Sequence, residues 1–211
     1  YSIKSVVLGN YTEKIERPVR ALLQDDERTF WVGTKGNGIL KIYDYEVDKN
    51  LSDCRAEVLT TSNSALGSNA VYCFARSHRN LLWIGEEEGL TYYSYREKRI
   101  KRLPVRIGNQ EFKYIHDIYE TADSELWLAS GGLGVVRARI AGTPDNPIIV
   151  DAQRYIINDG ELGSNYFFTI YAENEANLLF GNKGYGVFRF NKTPNGLEPV
   201  STHKYENMTL N

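Results

Sequence analysis

Short apolar stretches separated by polar, glycine-bearing turns recur four times along the chain, and the register of the recurrence is constant. The phrases Phe30-Trp31-Val32-Gly33, Leu82-Trp83-Ile84-Gly85, Leu126-Trp127-Leu128-Ala129 and Leu178-Leu179-Phe180-Gly181 each have an apolar residue, Val19, Val71, Ile115 or Phe167, twelve positions before their second member. Spacings of 52, 44 and 52 residues between successive units lie in the range where self-similarity marks a propeller or solenoid array. In each unit the pattern predicts a first strand, an acidic or Asn-bearing turn, a short second strand, a glycine turn, a third strand and a more variable fourth. In the first unit these strands are predicted over residues 19–24, 29–34, 39–44 and 56–60.

The second strands are unbroken apolar triplets rather than alternations, so both faces are expected to be covered, as in a blade held between two others. Trp31, Trp83, Trp127 and Leu179 are the predicted blade core. The third strands alternate, with Lys41 and Tyr43 facing away from Leu40 and Ile42, and these outward side chains are expected nearer the solvent. Gly38, Gly89, Gly134 and Gly186 stand where a tight reversal demands positive φ. The turn holding Glu86-Glu87-Glu88 is one residue shorter than its counterparts. The expected architecture is all-β: a β-propeller fragment of four four-stranded antiparallel blades. It is divided as residues 1–18 (outer strand of a preceding blade and connector), 19–68, 69–112, 113–164 and 165–211. Residues 1–10 and 199–207 read as outer strands at the two ends. An unclosed arc exposes strand edges and blade faces, so further blades or a second copy of the chain are the expected partners.

Composition agrees with this pattern. Aromatic residues make up 12% of the chain, fifteen of them Tyr, and such residues suit pleated, half-buried surfaces. The formal net charge of −2 gives no general attraction to nucleic acid, and no apolar run approaches the ~18 residues of a membrane span. Cys54 and Cys73 are too few for a disulfide framework and are expected to be two thiols.

The phrase Val19-x-x-Leu22-x-x-Asp25 followed by Phe30-Trp31-Val32-Gly33-Thr34 and Gly38-Ile39, with its relatives at Val71, Ile115 and Phe167, resembles the two-component regulator propeller repeat. The resemblance covers residues 19–190, with Leu179 in place of Trp and Ala129 in place of Gly as its departures. Such repeats occur in the periplasmic sensor regions of Bacteroides-type hybrid two-component histidine kinases. There, two propellers of about seven blades precede a β-sandwich, one membrane helix, a kinase and a DNA-binding regulator. The resemblance implies an extracytoplasmic, periplasmic sensor segment of an inner-membrane protein, several relatives of which recognise oligosaccharides. It carries no kinase chemistry into this chain.

Candidate chemistry follows from position. In a propeller the first strands line the central channel, and residues just inside its entrance meet ligands. Here these are Arg20, Tyr72, His116 and Phe168, a set of one cation, one imidazole and two aromatics suited to the apolar faces and hydroxyls of a sugar. Lys183 and Tyr185 on a neighbouring turn are expected to join them. His78, His116 and His203 are scattered, and no metal site, cofactor or catalytic residue is expected. The groups Gly36-Asn37-Gly38 and Gly131-Gly132-Leu133-Gly134 join strand to strand and are turns, with no helix to receive a phosphate. Acids at Asp25-Asp26-Glu27, Asp123 with Glu125, and Glu173 with Glu175 repeat in one loop, which favours solvated hairpins over a catalytic pair. Glu86-Glu87-Glu88 lies on the other rim, where it would meet hydroxyls, a cation or solvent. The run Arg96, Lys98, Arg99, Lys101, Arg102 and Arg106 is expected to guard a sheet edge, with an anionic glycan or a partner as the sharper alternative. A non-catalytic oligosaccharide sensor module is the leading functional expectation. An interaction or dimerisation scaffold and a propeller-type polysaccharide lyase or glycoside hydrolase are the alternatives.

Overall fold

A computed structural model of the chain describes residues 17–46, 53–156, 164–193 and 196–203. Among these, sixteen of the eighteen strands form four sheets in which each strand pairs antiparallel with the next in sequence. Sheet I holds β1 (Val19–Gln24), β2 (Phe30–Thr34), β3 (Ile39–Ile42) and β4 (Ala56–Leu59). Sheet II holds β5 (Val71–Arg76), β6 (Leu81–Glu86), β7 (Gly89–Ser94) and β8 (Arg99–Arg102). A small ribbon of β9 (Arg106–Ile107) and β10 (Gln110–Glu111) follows. Sheet III is β11 (Ile115–Glu120), β12 (Glu125–Ser130), β13 (Gly134–Thr143) and β14 (Asn146–Tyr155). Sheet IV is β15 (Phe167–Asn174), β16 (Asn177–Asn182), β17 (Gly186–Thr193) and β18 (Gly196–His203). No α-helix occurs among the described residues, and no helix is long and apolar enough to cross a membrane. The strand expected over residues 1–10 lies outside the described residues. The outer strand expected over 199–207 begins three residues earlier, as β18.

Successive sheets meet face to face through three apolar clusters. Trp31, Ile39 and Leu66 pack with Val71, Leu82, Ile84 and Tyr93 between sheets I and II. Trp83 and Tyr92 pack with Ile115, Leu126, Leu128 and Val136 between II and III. Trp127, Ala129 and Val135 pack with Phe167, Leu178, Phe180 and Phe188 between III and IV. The tryptophan of each of the first three sheets thus faces the sheet that follows, while in sheets II and III its apolar neighbours in the same strand face the sheet before. All three indoles are fully buried. Among the described residues, no cluster joins sheet IV back to sheet I.

This directionality corrects the expectation for Leu179. It pairs with Tyr171 as Trp127 pairs with Tyr119, so it occupies the tryptophan's place in the register. Yet it is only half-buried, between the fully buried Leu178 and Phe180, because its side faces onward from sheet IV, where no described sheet follows. A second correction concerns Lys41, expected near solvent but only 4% exposed. It lies opposite Trp31 in the β2–β3 ladder, and its Nζ sits 4.9 Å from the Trp31 ring, 4.5 Å from Tyr43 and 4.1 Å from Tyr93 while donating to the Tyr93 hydroxyl at 2.7 Å. The third strand is therefore inside the sandwich on the face toward the next sheet, and burial lowers the Lys41 pKa.

Local turn chemistry follows the sequence. Gly38, Gly89, Gly134 and Gly186 have φ of 74°, 127°, 86° and 94°, and the shorter turn of sheet II is a two-residue hairpin over Glu87 and Glu88. The residue closing each second strand is buried and polar, and in sheets II, III and IV it latches the incoming connector. The Glu86 carboxylate accepts N–H bonds from Gly67 (2.9 Å) and Ser68, and the Asn182 amide donates to the Ser164 carbonyl. The Ser130 hydroxyl donates to the Lys113 carbonyl at 3.0 Å, whereas Thr34 serves its own turn, accepting from the Asn37 N–H and donating to the Gly38 carbonyl. Cys54 and Cys73 are both buried thiols.

Trp83→Ala is expected to cost about 3–5 kcal/mol through lost transfer energy and the cavity left behind. Leu179→Ala should cost markedly less, since its site is already open on one side. Gly85→Ala should cost about 1–3 kcal/mol, because a Cβ there would stand 2.7 Å from the Ile115 carbonyl oxygen. Urea denaturation of the three variants checks the order.

Candidate functional site

All four first strands carry the same irregularity. Pairing with the second strand slips between Val19 and Ala21, Val71 and Cys73, Ile115 and Asp117, and Phe167 and Thr169. The extra residue in each is Arg20, Tyr72, His116 and Phe168. A bulge leaves its residue outside the ladder and re-aims the side chain. Because β1 lies beside β5, β5 beside β11 and β11 beside β15, the four re-aimed side chains come into contact in sequence. The Arg20 guanidinium carbon is 4.8 Å from the Tyr72 ring centroid. Tyr72 stacks on His116 at 4.4 Å with planes only 6° apart, and His116 meets Phe168 edge to face at 4.9 Å. Each ring contact contributes about 0.5–1.5 kcal/mol beyond burial, and the exposed cation–π contact about 0.5–1 kcal/mol.

The electrostatics of this file favour neutral rings beside one cation. Burial, and then the charge of Arg20, lower the His116 pKa below the ordinary 6.5, so the imidazole is uncharged at neutral pH. Burial raises the Tyr72 pKa, with Glu87 adding to the shift and Arg20 opposing it. The imidazole lies directly over Gly131, where a Cβ would stand 2.6 Å from Nε2, so the glycine is what lets the ring lie in line. Phe168 is 42% exposed and Arg20 is exposed, which leaves an aromatic surface with a guanidinium at one end.

Lys183 and Tyr185, expected to join this group, do not enter the file. Lys183 sits 5.2 Å from the Tyr166 ring, two residues before Phe168, while Tyr185 packs against the Phe167, Phe180 and Phe188 cluster. Apolar burial between sheets III and IV holds the Tyr185 ring.

The remaining acidic and basic groups are largely engaged in holding sheets together. Asp25, expected as a solvated turn residue, is buried: it accepts from the Trp31 indole N–H (2.8 Å), the Thr29 N–H (2.8 Å) and the Tyr95 hydroxyl (3.0 Å) of sheet II. Glu120 plays the same part for the Trp83 indole at 2.8 Å. Glu87 accepts from the Ser68 hydroxyl, and Glu88 is held by Lys113 at 2.5 Å. In the basic run, Arg96 pairs with Asp145 at 2.8 Å, Lys101 with Glu97 at 2.8 Å, and Arg102 with Glu111 at 2.9 Å, which ties the edge of sheet II to sheet III and the ribbon. Asp117 bridges sheets III and IV by accepting from the Ile170 N–H at 2.7 Å and the Thr169 hydroxyl at 3.1 Å. Among the described residues, no group of three or more His, Cys, Asp or Glu could hold a metal. Sequence reasoning missed the buried roles of Asp25, Glu120 and Lys41. The one available signal was that Lys41 faces Trp31 in the paired strands.

Sheets stacked in sequence, first strands side by side and a tryptophan wedged at each junction define a β-propeller blade array. Solved structures of this fold are similar to the chain over most of its length. The extracellular domain of the putative one component system BT4673 from B. thetaiotaomicron matches with a TM-score of 0.71 and 16% identity, covering 92% of this chain and 26% of that one. The extracellular domain of the putative hybrid two component system BT3049 from the same organism matches at 0.60 and 20% identity, over 88% of this chain and 23% of that one. PorZ, an essential surface component of the type-IX secretion system of Porphyromonas gingivalis, matches at 0.61 and 16% identity, over 83% and 26% of the two chains. The chain therefore spans about a quarter of the length of these structures. The sequence matches no family model and no curated protein.

The depressed His116 pKa has a definite sign. In the pH window below 6.5 the unfolded state binds a proton that the folded state does not, so His116 costs stability as pH falls through that window. Relative to the wild type, His116→Phe should lose less stability between about pH 7.5 and about pH 5, as read by paired urea titrations.

Proposed function

We propose that the chain is a non-catalytic, extracytoplasmic sensor module of a two-component signalling protein, binding an oligosaccharide at the channel entrance and relaying occupancy to the histidine kinase of an inner-membrane parent protein. The observation that supports this reading is the file Arg20–Tyr72–His116–Phe168, one residue from each blade, aligned by four equivalent bulges at the starts of the first strands. Flat rings accept the C–H face of a sugar, and the guanidinium and imidazole offer directed hydrogen bonds to its hydroxyls. The similarity to two-component extracellular domains supports the same reading.

Fold alone does not assign function, since a virginiamycin B lyase shares this architecture at a TM-score of 0.58. Against a lyase or hydrolase stands the state of the carboxylates on the described entrance rim. Glu86, Glu87, Glu88 and Glu111 are each held by an internal partner rather than facing one another across a substrate gap. The interaction-scaffold reading is favoured by a different surface: sheet IV turns the 66% exposed Tyr171, with Leu179, outward. That face suits a further blade or a second copy of the chain.

Binding to a glycan array by the 211-residue chain, followed by calorimetry on the hits, tests the proposal. Tyr72→Ala and His116→Ala are each expected to weaken binding about tenfold or more, at the level of about 1–3 kcal/mol seen when a stacking platform is removed, while circular dichroism below the transition shows the chain still folded. Retained affinity in both variants places the site elsewhere, and release of shortened products from any polymer replaces sensing with catalysis.

A further inference from the structure

Strand direction separates two rims that use their charges differently. First strands begin on the rim that holds the four bulges, so the β2–β3 type turns and the connectors lie on that rim, taken as the channel entrance, and the β1–β2 type turns lie on the opposite one. On the opposite rim acids and cations are paired with one another, Asp26 with Arg76, Glu173 with Arg189 and Asp123 with Lys192. On the entrance rim Glu86 accepts from the Gly67 and Ser68 N–H groups, Glu88 pairs with Lys113 and Glu111 with Arg102, while Glu87 accepts from the Ser68 hydroxyl and is near enough to Tyr72 to add to the rise that burial gives its pKa. The cations Arg17, Arg20, Lys35 and Lys183 are exposed there, and none forms an ion pair among the described residues.

Position makes Arg20 the pivotal member of this set. Its guanidinium lies over the Tyr72 ring at the end of the aromatic file, in contact with a π face rather than a carboxylate, so its N–H edge keeps its donors. A guanidinium supported on one face and unpaired at its edge matches the geometry of a carboxylate or sulfate, which it binds through two parallel charge-assisted bonds. Lys183, over Tyr166 beside Phe168, adds a second positive charge near the other end of the file.

We infer that the saccharide bound at this entrance is acidic, with an anionic substituent held at Arg20 and a sugar ring laid on Tyr72, His116 and Phe168. This rests on the oligosaccharide-sensor reading and narrows its ligand class. The neutral state of His116 fits the same arrangement, because an uncharged imidazole leaves the anion to the end of the file and the middle to the sugar ring.

The test is calorimetry on the 211-residue chain with matched pairs of oligosaccharides. Galacturonate tetrasaccharides are compared with their methyl esters, and chondroitin sulfate tetrasaccharides with their desulfated, carboxyl-reduced forms. The same pairs are drawn from an array of uronate-containing and sulfated glycans. At least one acidic member should bind about tenfold tighter than its neutral partner, and added salt should erode that margin. Arg20→Ala should abolish the margin and Arg20→Lys should keep part of it. Lys98→Ala, an exposed cation on the opposite rim, should leave it unchanged. Equal or preferential binding of neutral members overturns the inference while leaving the sensor reading standing, and failure to bind any glycan overturns both. Salt dependence in the wild type decides the matter even if an Arg20 variant folds poorly.

Discussion

Burial of one large indole between successive sheets is the constraint on which the rest of this structure depends. A four-stranded blade is apolar on both faces and cannot bury them alone, so each sheet is stable only against its neighbours. Trp31, Trp83 and Trp127 supply the bulk at the three described junctions, all on the same side of their sheets. An indole in a dry junction also carries an N–H that must be satisfied. Asp25 and Glu120 satisfy the first two, and this is why two carboxylates are buried beside tryptophans rather than solvated in their hairpins. At the third junction the Trp127 N–H has no partner, because the residue equivalent to Glu120 in sheet IV is Ala172.

The same repetition generates the candidate site. A bulge at one fixed place in a first strand re-aims a single side chain, which in isolation means little. Four such bulges in adjacent strands bring an arginine, a tyrosine, a histidine and a phenylalanine into continuous contact. Recognition surfaces in repeat proteins arise in this way, by summing one modest contribution per unit over a rigid frame. The frame is stiffened where three of the second strands end. Glu86 reaches across to Gly67 and Ser68, Asn182 to Ser164, and the shorter Ser130 to Lys113, whereas Thr34 is used within its own turn.

Much of this was legible in the residues themselves. The fixed interval from Val19 to Trp31 and its three repeats is a statement about strand length and hairpin size, both local quantities, and the strands duly fall in those places. The glycines at 38, 89, 134 and 186 mark positive φ because no side chain tolerates that backbone cheaply. Arg20, Tyr72, His116 and Phe168 could be picked out because equivalent positions in a repeat are equivalent in space. The places where expectation failed lie in packing that no turn pattern shows. Tyr93 and Tyr95 reach Lys41 and Asp25 from the next unit, Tyr185 is drawn into the aromatic cluster beside its own sheet, and Leu179 faces a side that no described sheet covers.

The chain by itself thus determined the all-β repeat, the register of its strands and the positions that share a rim, since these follow from periodicity and turn chemistry along a single stretch of backbone. Only the tertiary structure decided which face of each sheet looks forward and how a bulge turns its side chain. The pairing of carboxylates with indoles was likewise settled only there. Most of those outcomes depend on packing between successive units, where desolvation and close contact are settled by neighbours that no local pattern encodes.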